Sequence, residues 1–575
     1  MLKHLIRSAF VACLLAAGMA PAQADDPASG SLGEFNAGSR ISLQALTPNQ
    51  VENLAIAGKV WGFLKYHHPV VTGGQRQWDV ELLKILPELL AAPDRGSADA
   101  ILHRWIAGLG PVAECSPCAS LDKQGLQLLP DLDWLGDAQL SPALRHDLNK
   151  IYRHRSGAGK QYYVSLTPQV RNPVFVNEPD YNRLSFPDAG FQLLSLFRFW
   201  NIVEYWAPYR DQIGEDWDKV LRQSIASVAL AKDRSAYELA MMAVVARLHD
   251  THANLWSSMR VQPPVGNCRL PVQVRFLEGR ATVSGHAGDD GAASGLERGD
   301  IIESIDGLPV AQLIDTWRPY YAASNEPTRL RDMAEGLTRG ACGPTQLKIR
   351  QGASLKEVTA TRVPRSGPRK LPTHDRAGET FQLLADDIAY IKLSSIKSAD
   401  IPGYMERAAR TRGLIVDIRN YPSEFVPFAL GQYVVDRPTA FARFTIGDLN
   451  NPGGFGWSPE TGLRPHAAPY PGKVMILVDE VSQSQSEYTA MALRAGPRAK
   501  VVGSTTAGAD GNLSRIPLPG GLHSAISGIG VFYPDKRPTQ RIGIVPDIDV
   551  KPTIEGIRAG RDEVLDAAIA EIRRE

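Results

Sequence analysis

Residues 474–487 read Val474-Met475-Ile476-Leu477-Val478-Asp479-Glu480-Val481-Ser482-Gln483-Ser484-Gln485-Ser486-Glu487. An unbroken apolar run of this length, closed by a polar turn, is typical of a strand buried on both faces of a parallel sheet. A helix begins beyond the turn. Ser484-x-x-Glu487 has the form of a capping box, which by itself describes only how that helix starts. A serine at a strand-to-helix turn is also exposed, and the first N–H groups of the helix point at any anion formed beside it. The same residues therefore fit a structural cap and a nucleophile for acyl transfer.

Working outward, further apolar runs at Ile388–Leu393, Gly413–Ile418 and Val501–Val502 read as buried strands. Helices are predicted around Ile401–Arg410, Glu424–Val435 and Glu487–Arg494. This alternation makes residues 376–575 an α/β core. A Pro/Arg/Lys-rich linker, Gly367–Thr373, precedes it. Residues 261–366 carry short β-rich runs (Val272–Phe276, Ala281–Val283, Gln346–Arg350), an Asp306-Gly307 hairpin signal and a helix around Val310–Trp317.

The first half of the chain is helical, with stretches at Ala55–Tyr66, Val80–Ala91 and Ala98–Leu109, and it echoes itself. Tyr66 and Tyr205 are 139 positions apart, and the same offset relates Pro69 to Pro208, Trp78-Asp79 to Trp217-Asp218 and Asp94-Arg95 to Asp233-Arg234. The spacing predicts a repeated helical unit, residues 46–185 and then 186–260. The two copies part at their ends. The first closes on Leu109-Gly110-Pro111, the second on Leu248-His249-Asp250-Thr251-His252, where titratable groups replace inert ones.

The 575 residues carry 63 Lys+Arg against 62 Asp+Glu, and 43% are apolar. That composition suits several folded domains and offers no basic excess for nucleic acid. Lys3, His4 and Arg7 precede the apolar run Ala9–Ala20 and Ala22-Gln23-Ala24, so residues 1–24 read as a signal peptide. Residues 25–45 follow as a Gly/Ser/Asp/Ala-rich lead-in. Loss of Lys3 and Arg7 moves the formal charge from +1 to −1. The expected product is exported, periplasmic or secreted, without a stable membrane anchor. Of the cysteines, Cys13 leaves with the signal. Cys115-Ser116-Pro117-Cys118 can be a redox pair or half a zinc site, but no second ligand pair accompanies it. Two structural disulfides, Cys115–Cys118 and Cys268–Cys342, are the simplest reading in an oxidising compartment.

Several motifs combine. Gly295-Leu296-Glu297-Arg298-Gly299-Asp300-Ile301-Ile302 followed by Ile305-Asp306-Gly307 resembles a PDZ domain. It lies between Thr251-His252 and the Ser484 turn. Asp417-Ile418-Arg419-Asn420 precedes that turn, and Thr505-Thr506-Ala507-Gly508 and Gly543-Ile544-Val545-Pro546-Asp547 follow it. In this order the motifs resemble the C-terminal-processing peptidase and tricorn-core family of serine peptidases. The resemblance covers roughly residues 190–560. It implies a multidomain α+β chain: an N-terminal helical region, a PDZ-like β domain and a crotonase-like α/β catalytic core.

The resemblance also implies roles. In one version of the family a lysine about 25 residues beyond the nucleophile is the base. Here that position is Ala509, and Lys500 reads as a solvated surface lysine on a strand edge. The other version uses a histidine after Ser or Thr, which Thr251-His252 matches. Ser484 is then the nucleophile and His252 the general base. An orienting carboxylate would stand where this chain has Gln540, which can hydrogen-bond Thr251 or His252 but brings no charge. Asp250 is a substitute if its side chain turns inward. Relatives carry a glycine pair after D-x-R-x-N. Here Tyr421-Pro422-Ser423 follows, and Pro422 has no N–H. Oxyanion donors are expected at the backbone of Gln485 and Ser423. Asp417 and Arg419 are read as ties within the core. Neither a metal nor an organic cofactor is expected, although His249, Asp250 and His252 together could in principle ligate a metal. The substrate implied is a peptide or unstructured protein. The rival is a catalytically weak or inactive family member that binds peptides or apolar ligands.

Overall fold

The computed structural model describes residues 33–287, 294–364 and 374–574. The signal-like segment 1–24 and the linker Gly367–Thr373 lie outside the described residues.

The helical half is built twice. Helices α1 (Pro48–His67), α2 (Trp78–Ala91) and α3 (Arg95–Ala107) are followed by α4 (Ala189–Trp206), α5 (Trp217–Ala229) and α6 (Arg234–Ala246). Thr47 and Gln50 form a reciprocal capping box at the start of α1, with Pro48 at the first helical position. Equivalent residues make equivalent bonds. The Trp61 and Trp78 indoles each donate to the other's carbonyl, at 3.2 and 2.9 Å, and so do Trp200 and Trp217, at 2.8 and 3.1 Å. Asp94 and Asp233 cap the third helix of each unit, and Arg95–Asp99 is matched by Arg234–Glu238.

The units pair about a local two-fold relation. Lys59 reaches Asp218 and its counterpart Arg198 reaches Asp79, both at 2.6 Å. The Tyr66 and Tyr205 rings meet edge-on, with centroids 5.3 Å apart. Gly58 and Gly62 of α1 allow the close approach of α4, because a Cβ at Gly62 would lie 1.7 Å from the Asn201 amide oxygen. Between the units Glu178 takes Lys65 at 2.5 Å and Arg198 at 2.9 Å, all three side chains fully buried. Residues 109–185 depart from the expected helical character. They include three short strands, and Leu126–Leu128 pairs with Phe455–Trp457 of the core.

The middle region is a curled sheet of β1 (Val272–Leu277), β2 (Arg280–His286), β3 (Ile301–Ile305), β4 (Gly343–Gln351) and β5 (Ser354–Pro364), paired in that order. Helices α7 (Val310–Trp317) and α8 (Glu326–Leu337) pack with it. Asp306 and Gly307 both take positive φ between the paired Ile305 and Leu308, as a tight two-residue hairpin turn requires. Cys115–Cys118 and Cys268–Cys342 are both bonded as expected.

The α/β core is a six-stranded sheet in the order β6 (Phe381–Leu384), β7 (Ile388–Lys392), β8 (Gly413–Asp417), β9 (Lys473–Val478), β10 (Ala499–Gly503) and β11 (Ile548–Asp549). All neighbours are parallel except β6, which is antiparallel to β7 at the edge. Alternate residues serve opposite faces, as a strand period of two dictates. Val474, Ile476 and Val478 pack with α9 (Gln485–Arg494), whereas Met475 and Leu477 pack with α10 (Glu563–Arg573). The Ser484 turn thus leaves the carboxyl end of β9, the end at which parallel sheets gather ligands. The helix expected over Glu424–Val435 is confined to Pro427–Gly431.

Candidate active site

Ser484 has φ 56° and ψ −118°, outside the regions an L-residue prefers, at the sharp turn from β9 into α9. Such strain persists only where neighbours over-determine it. Here the Ser484 N–H donates to the Ala509 carbonyl at 2.9 Å and to Glu487 Oε2 at 3.1 Å. Glu487 is fully buried and also accepts Thr506 Oγ1 at 2.5 Å, the Gly508 N–H at 2.8 Å and the Ala509 N–H at 3.0 Å. Burial raises its pKa, an effect that these four donors only partly offset. The capping glutamate therefore ties the nucleophile's turn to the loop after β10. The Ser484 side chain is half-buried and faces the Glu487 backbone N–H, the other half of the capping box.

The Gln485 N–H, at the first helical position, has no acceptor among the described residues and is oriented by the helix start. Its side chain donates to the Glu424 carbonyl at 2.7 Å. Ser423 differs from expectation. Its N–H is committed to the Leu393 carbonyl at 2.9 Å and its hydroxyl to the Ile396 carbonyl at 2.5 Å. Those bonds remove Ser423 from the oxyanion donors in this conformation. Asp417 and Arg419 behave as core ties, Arg419 bridging Asp417 and Asp562. Lys500 lies on β10, half-exposed and paired with Glu571 at 2.7 Å.

The second helical unit ends by turning Asp250 inward. Asp250 Oδ1 accepts the His252 N–H at 3.0 Å and the Ser527 hydroxyl at 3.0 Å, and Oδ2 accepts the Ser527 N–H at 2.8 Å. His252 Nδ1 lies 2.9 Å from Ser527 Oγ and 3.9 Å from Asp250 Oδ1. Burial lowers the His252 pKa and Asp250 opposes that. Thr251 faces elsewhere: its hydroxyl and N–H both meet Ser324. Gln540 is buried near this group, walling with Asp250 and Ser527 a cavity of about 10 Å³. Its Oε1 has no partner among the described residues, so the expected bond to Thr251 or His252 is not formed. Ser527 takes the place beside Nδ1 that the sequence offered to Gln540.

No hydrogen bond joins Ser484 to His252 among the described residues. Their loops are instead fastened to one segment. Ser324 holds Thr251, Asn325 donates to the Thr506 carbonyl at 2.8 Å, and Thr328 donates to the Ala507 carbonyl at 3.3 Å. Arg331, on α8, adds bonds to the Glu480 carbonyl and to Gln483 Oε1. No group of three or more His, Cys, Asp or Glu suited to a metal occurs among the described residues.

Residues 446–550 match the model described as Peptidase family S41. No curated protein matches the chain. Among solved structures, mature CPAF complexed with lactacystin is 16% identical, with a TM-score of 0.52, 67% of this chain and 99% of that one being covered. Mature CPAF alone gives the same identity and TM-score over 67% and 98%. A putative peptidase from Parabacteroides merdae is 17% identical over 67% and 97%, with a TM-score of 0.44.

Proposed function

From a core segment that belongs to peptidase family S41, and a chain that is on that ground a serine-type peptidase, we propose that Ser484 is the nucleophile and His252 the general base. The observation that carries the assignment is the backbone of Ser484. Among the described residues it is the one non-glycine residue held at a strained positive φ between a parallel core strand and a helix whose first N–H is unclaimed. A nucleophile elbow has this form, because the turn lifts the hydroxyl clear of the backbone.

In the proposed reaction Ser484 Oγ attacks the carbonyl carbon of a peptide bond while its proton passes to His252 Nε2. The oxyanion faces the Gln485 N–H and the positive end of α9. As the C–N bond breaks, His252 returns the proton to the leaving amine. Water, deprotonated by the same histidine, then hydrolyses the acyl-Ser484 ester. The absence of a direct Ser484–His252 bond is compatible with this scheme. Catalytic hydrogen bonds of substrate-free enzymes are often long and tighten in the complex.

The middle domain, with its Asp306-Gly307 hairpin and flanking helices, is read as PDZ-like, and the core as crotonase-like. Substrates are then peptides or unstructured protein segments, with no nucleic acid required. The N-terminal signal pattern supports export to the periplasm or medium. No described helix is long and apolar enough to cross a membrane.

The test is intact mass after fluorophosphonate treatment of the mature protein, Ser484→Ala and His252→Ala. One adduct on the wild type is expected, none on the serine variant, and labelling slowed at least ~10²-fold on the histidine variant. A folded wild type that stays unlabelled at high probe concentration would overturn the assignment and favour a peptide-binding protein.

A further inference from the structure

The hydrogen bonds around His252 decide which of its nitrogens carries the proton. Asp250 accepts three donors, namely the His252 N–H, the Ser527 N–H and the Ser527 hydroxyl. A carboxylate has no hydrogen to give, and a hydroxyl has only one. The Ser527 hydrogen therefore goes to Asp250, so the 2.9 Å contact between Ser527 Oγ and His252 Nδ1 must be made by an Nδ1–H. That leaves the lone pair on Nε2, the state a general base needs. At 3.9 Å, Nδ1 and Asp250 Oδ1 are too far apart for a direct hydrogen bond. The carboxylate acts on the ring through the serine.

We propose that Asp250 and Ser527 are the positioning residues of His252, a carboxylate–hydroxyl–imidazole relay that fixes the ring's tautomer and plane without Gln540. The proposal rests on His252 being the base. It adds that Ser527, from the far end of the Leu522–Ser527 strand, supplies the contact a carboxylate makes directly in a simple triad. All three side chains are almost completely buried, so water does not compete for these bonds. The negative charge of Asp250 is close enough to favour the imidazolium when the Ser484 proton arrives, and Ser527 can pass that polarisation on without itself losing a proton.

The test is long-range ¹H–¹⁵N correlation of imidazole-labelled mature protein, with the His252 signals assigned by their loss in His252→Ala. The wild type is expected to show the Nδ1–H tautomer. Ser527→Ala should convert it to a mixture or to Nε2–H and lower kcat ~10²-fold or more with KM little changed. Ser527→Thr, which keeps a hydroxyl, should restore the tautomer and most of kcat, and circular dichroism of each variant establishes that it is folded. An Nε2–H tautomer in the wild type overturns the relay, as does a folded Ser527→Ala protein with wild-type tautomer and kcat. If the tautomer depends on Ser527 while fluorophosphonate fails to label Ser484, the relay stands and the peptidase assignment falls.

Discussion

Glu487 holds the backbone of Ser484: its Oε2 accepts the Ser484 N–H at 3.1 Å and the Ala509 N–H at 3.0 Å. The other oxygen takes Thr506 and Gly508. The residue that marks the helix start in the sequence therefore also maintains the strained φ of the proposed nucleophile and joins two loops across the carboxyl ends of β9 and β10.

Replacing Glu487 should damage stability and positioning together. In Glu487→Gln an amide NH₂ must face N–H donors where a carboxylate oxygen accepted two. The loss expected is about 3 kcal/mol, from two charge-assisted bonds and the donors left unpaired. With the turn relaxed, fluorophosphonate labelling of Ser484 should slow ~10²-fold even at temperatures where the variant is folded, since small misplacements of a reacting group cost that much. Urea unfolding and labelling rates measure the two effects separately. Wild-type labelling in a destabilised variant would limit Glu487 to a structural role.

The pH dependence of kcat/KM follows from His252. Burial depresses its pKa and Asp250 opposes that, the net direction being downward. The base is therefore unprotonated to lower pH than an ordinary imidazole of ~6.5, and the acid limb of kcat/KM should have its midpoint below that value. Asp250→Asn removes the opposing charge. It should move the limb further down in pH while lowering the plateau. A limb centred above 7, or one unmoved by Asp250→Asn, would assign the base elsewhere.

The contrast between what the sequence disclosed and what it hid has a physical basis. The parallel strands were legible because residues buried on both faces must be apolar without interruption, as at 474–478. The helical repeat was legible because packing Trp78 on Trp61 and Trp217 on Trp200 requires the same large residues at the same offset. Ser527 was not legible. It stands at the end of an unremarkable strand, and only the fold brings it, 275 positions along the chain, to Nδ1 of His252. Ser423 seemed available because sequence says nothing of which backbone N–H groups are already spent, and Leu393 spends that one. Gln540 stands three residues before Gly543, where the family resemblance implies an orienting carboxylate. Spacing fixes the backbone, but Ser527, held by the inward-turned Asp250, fills the hydrogen-bonding place beside the imidazole.

The repeat makes a quantitative statement about stability. Trp78→Phe and Trp217→Phe each remove an indole N–H from a buried carbonyl, that of Trp61 or of Trp200. Each should cost about 0.5–1.5 kcal/mol, the net worth of one buried hydrogen bond, because both carbonyls lie within helices and keep their intrahelical N–H partner. Trp78 also stacks on Trp105 at 4.9 Å, and the equivalent of Trp105 in the second unit is Val244, so Trp78→Phe should be the costlier change. Fluorophosphonate labelling per folded molecule should be unchanged in both. Costs differing by several kcal/mol would mean that the two units do not share one packing scheme.

Asp510 supplies a test of opposite sign in pH. One carboxylate oxygen accepts the Gly511 N–H at 2.7 Å, and the other is buried with no partner among the described residues. Burial, reinforced by repulsion from Glu487, pushes its pKa well above the usual carboxylate value. At pH below ~4 the group is protonated in both folded and unfolded chains. As the pH rises the unfolded chain ionises first. The folded protein then binds more protons than the unfolded one, and stability falls with rising pH until the folded carboxyl also ionises. Asp510→Asn keeps an acceptor for Gly511 and is neutral at every pH. Its urea midpoint should therefore exceed that of the wild type at pH 8, by a margin that shrinks steadily to nothing towards pH 4. A variant less stable than the wild type by the same amount at both pH values would show that the unpaired oxygen has a partner the neutral amide cannot serve.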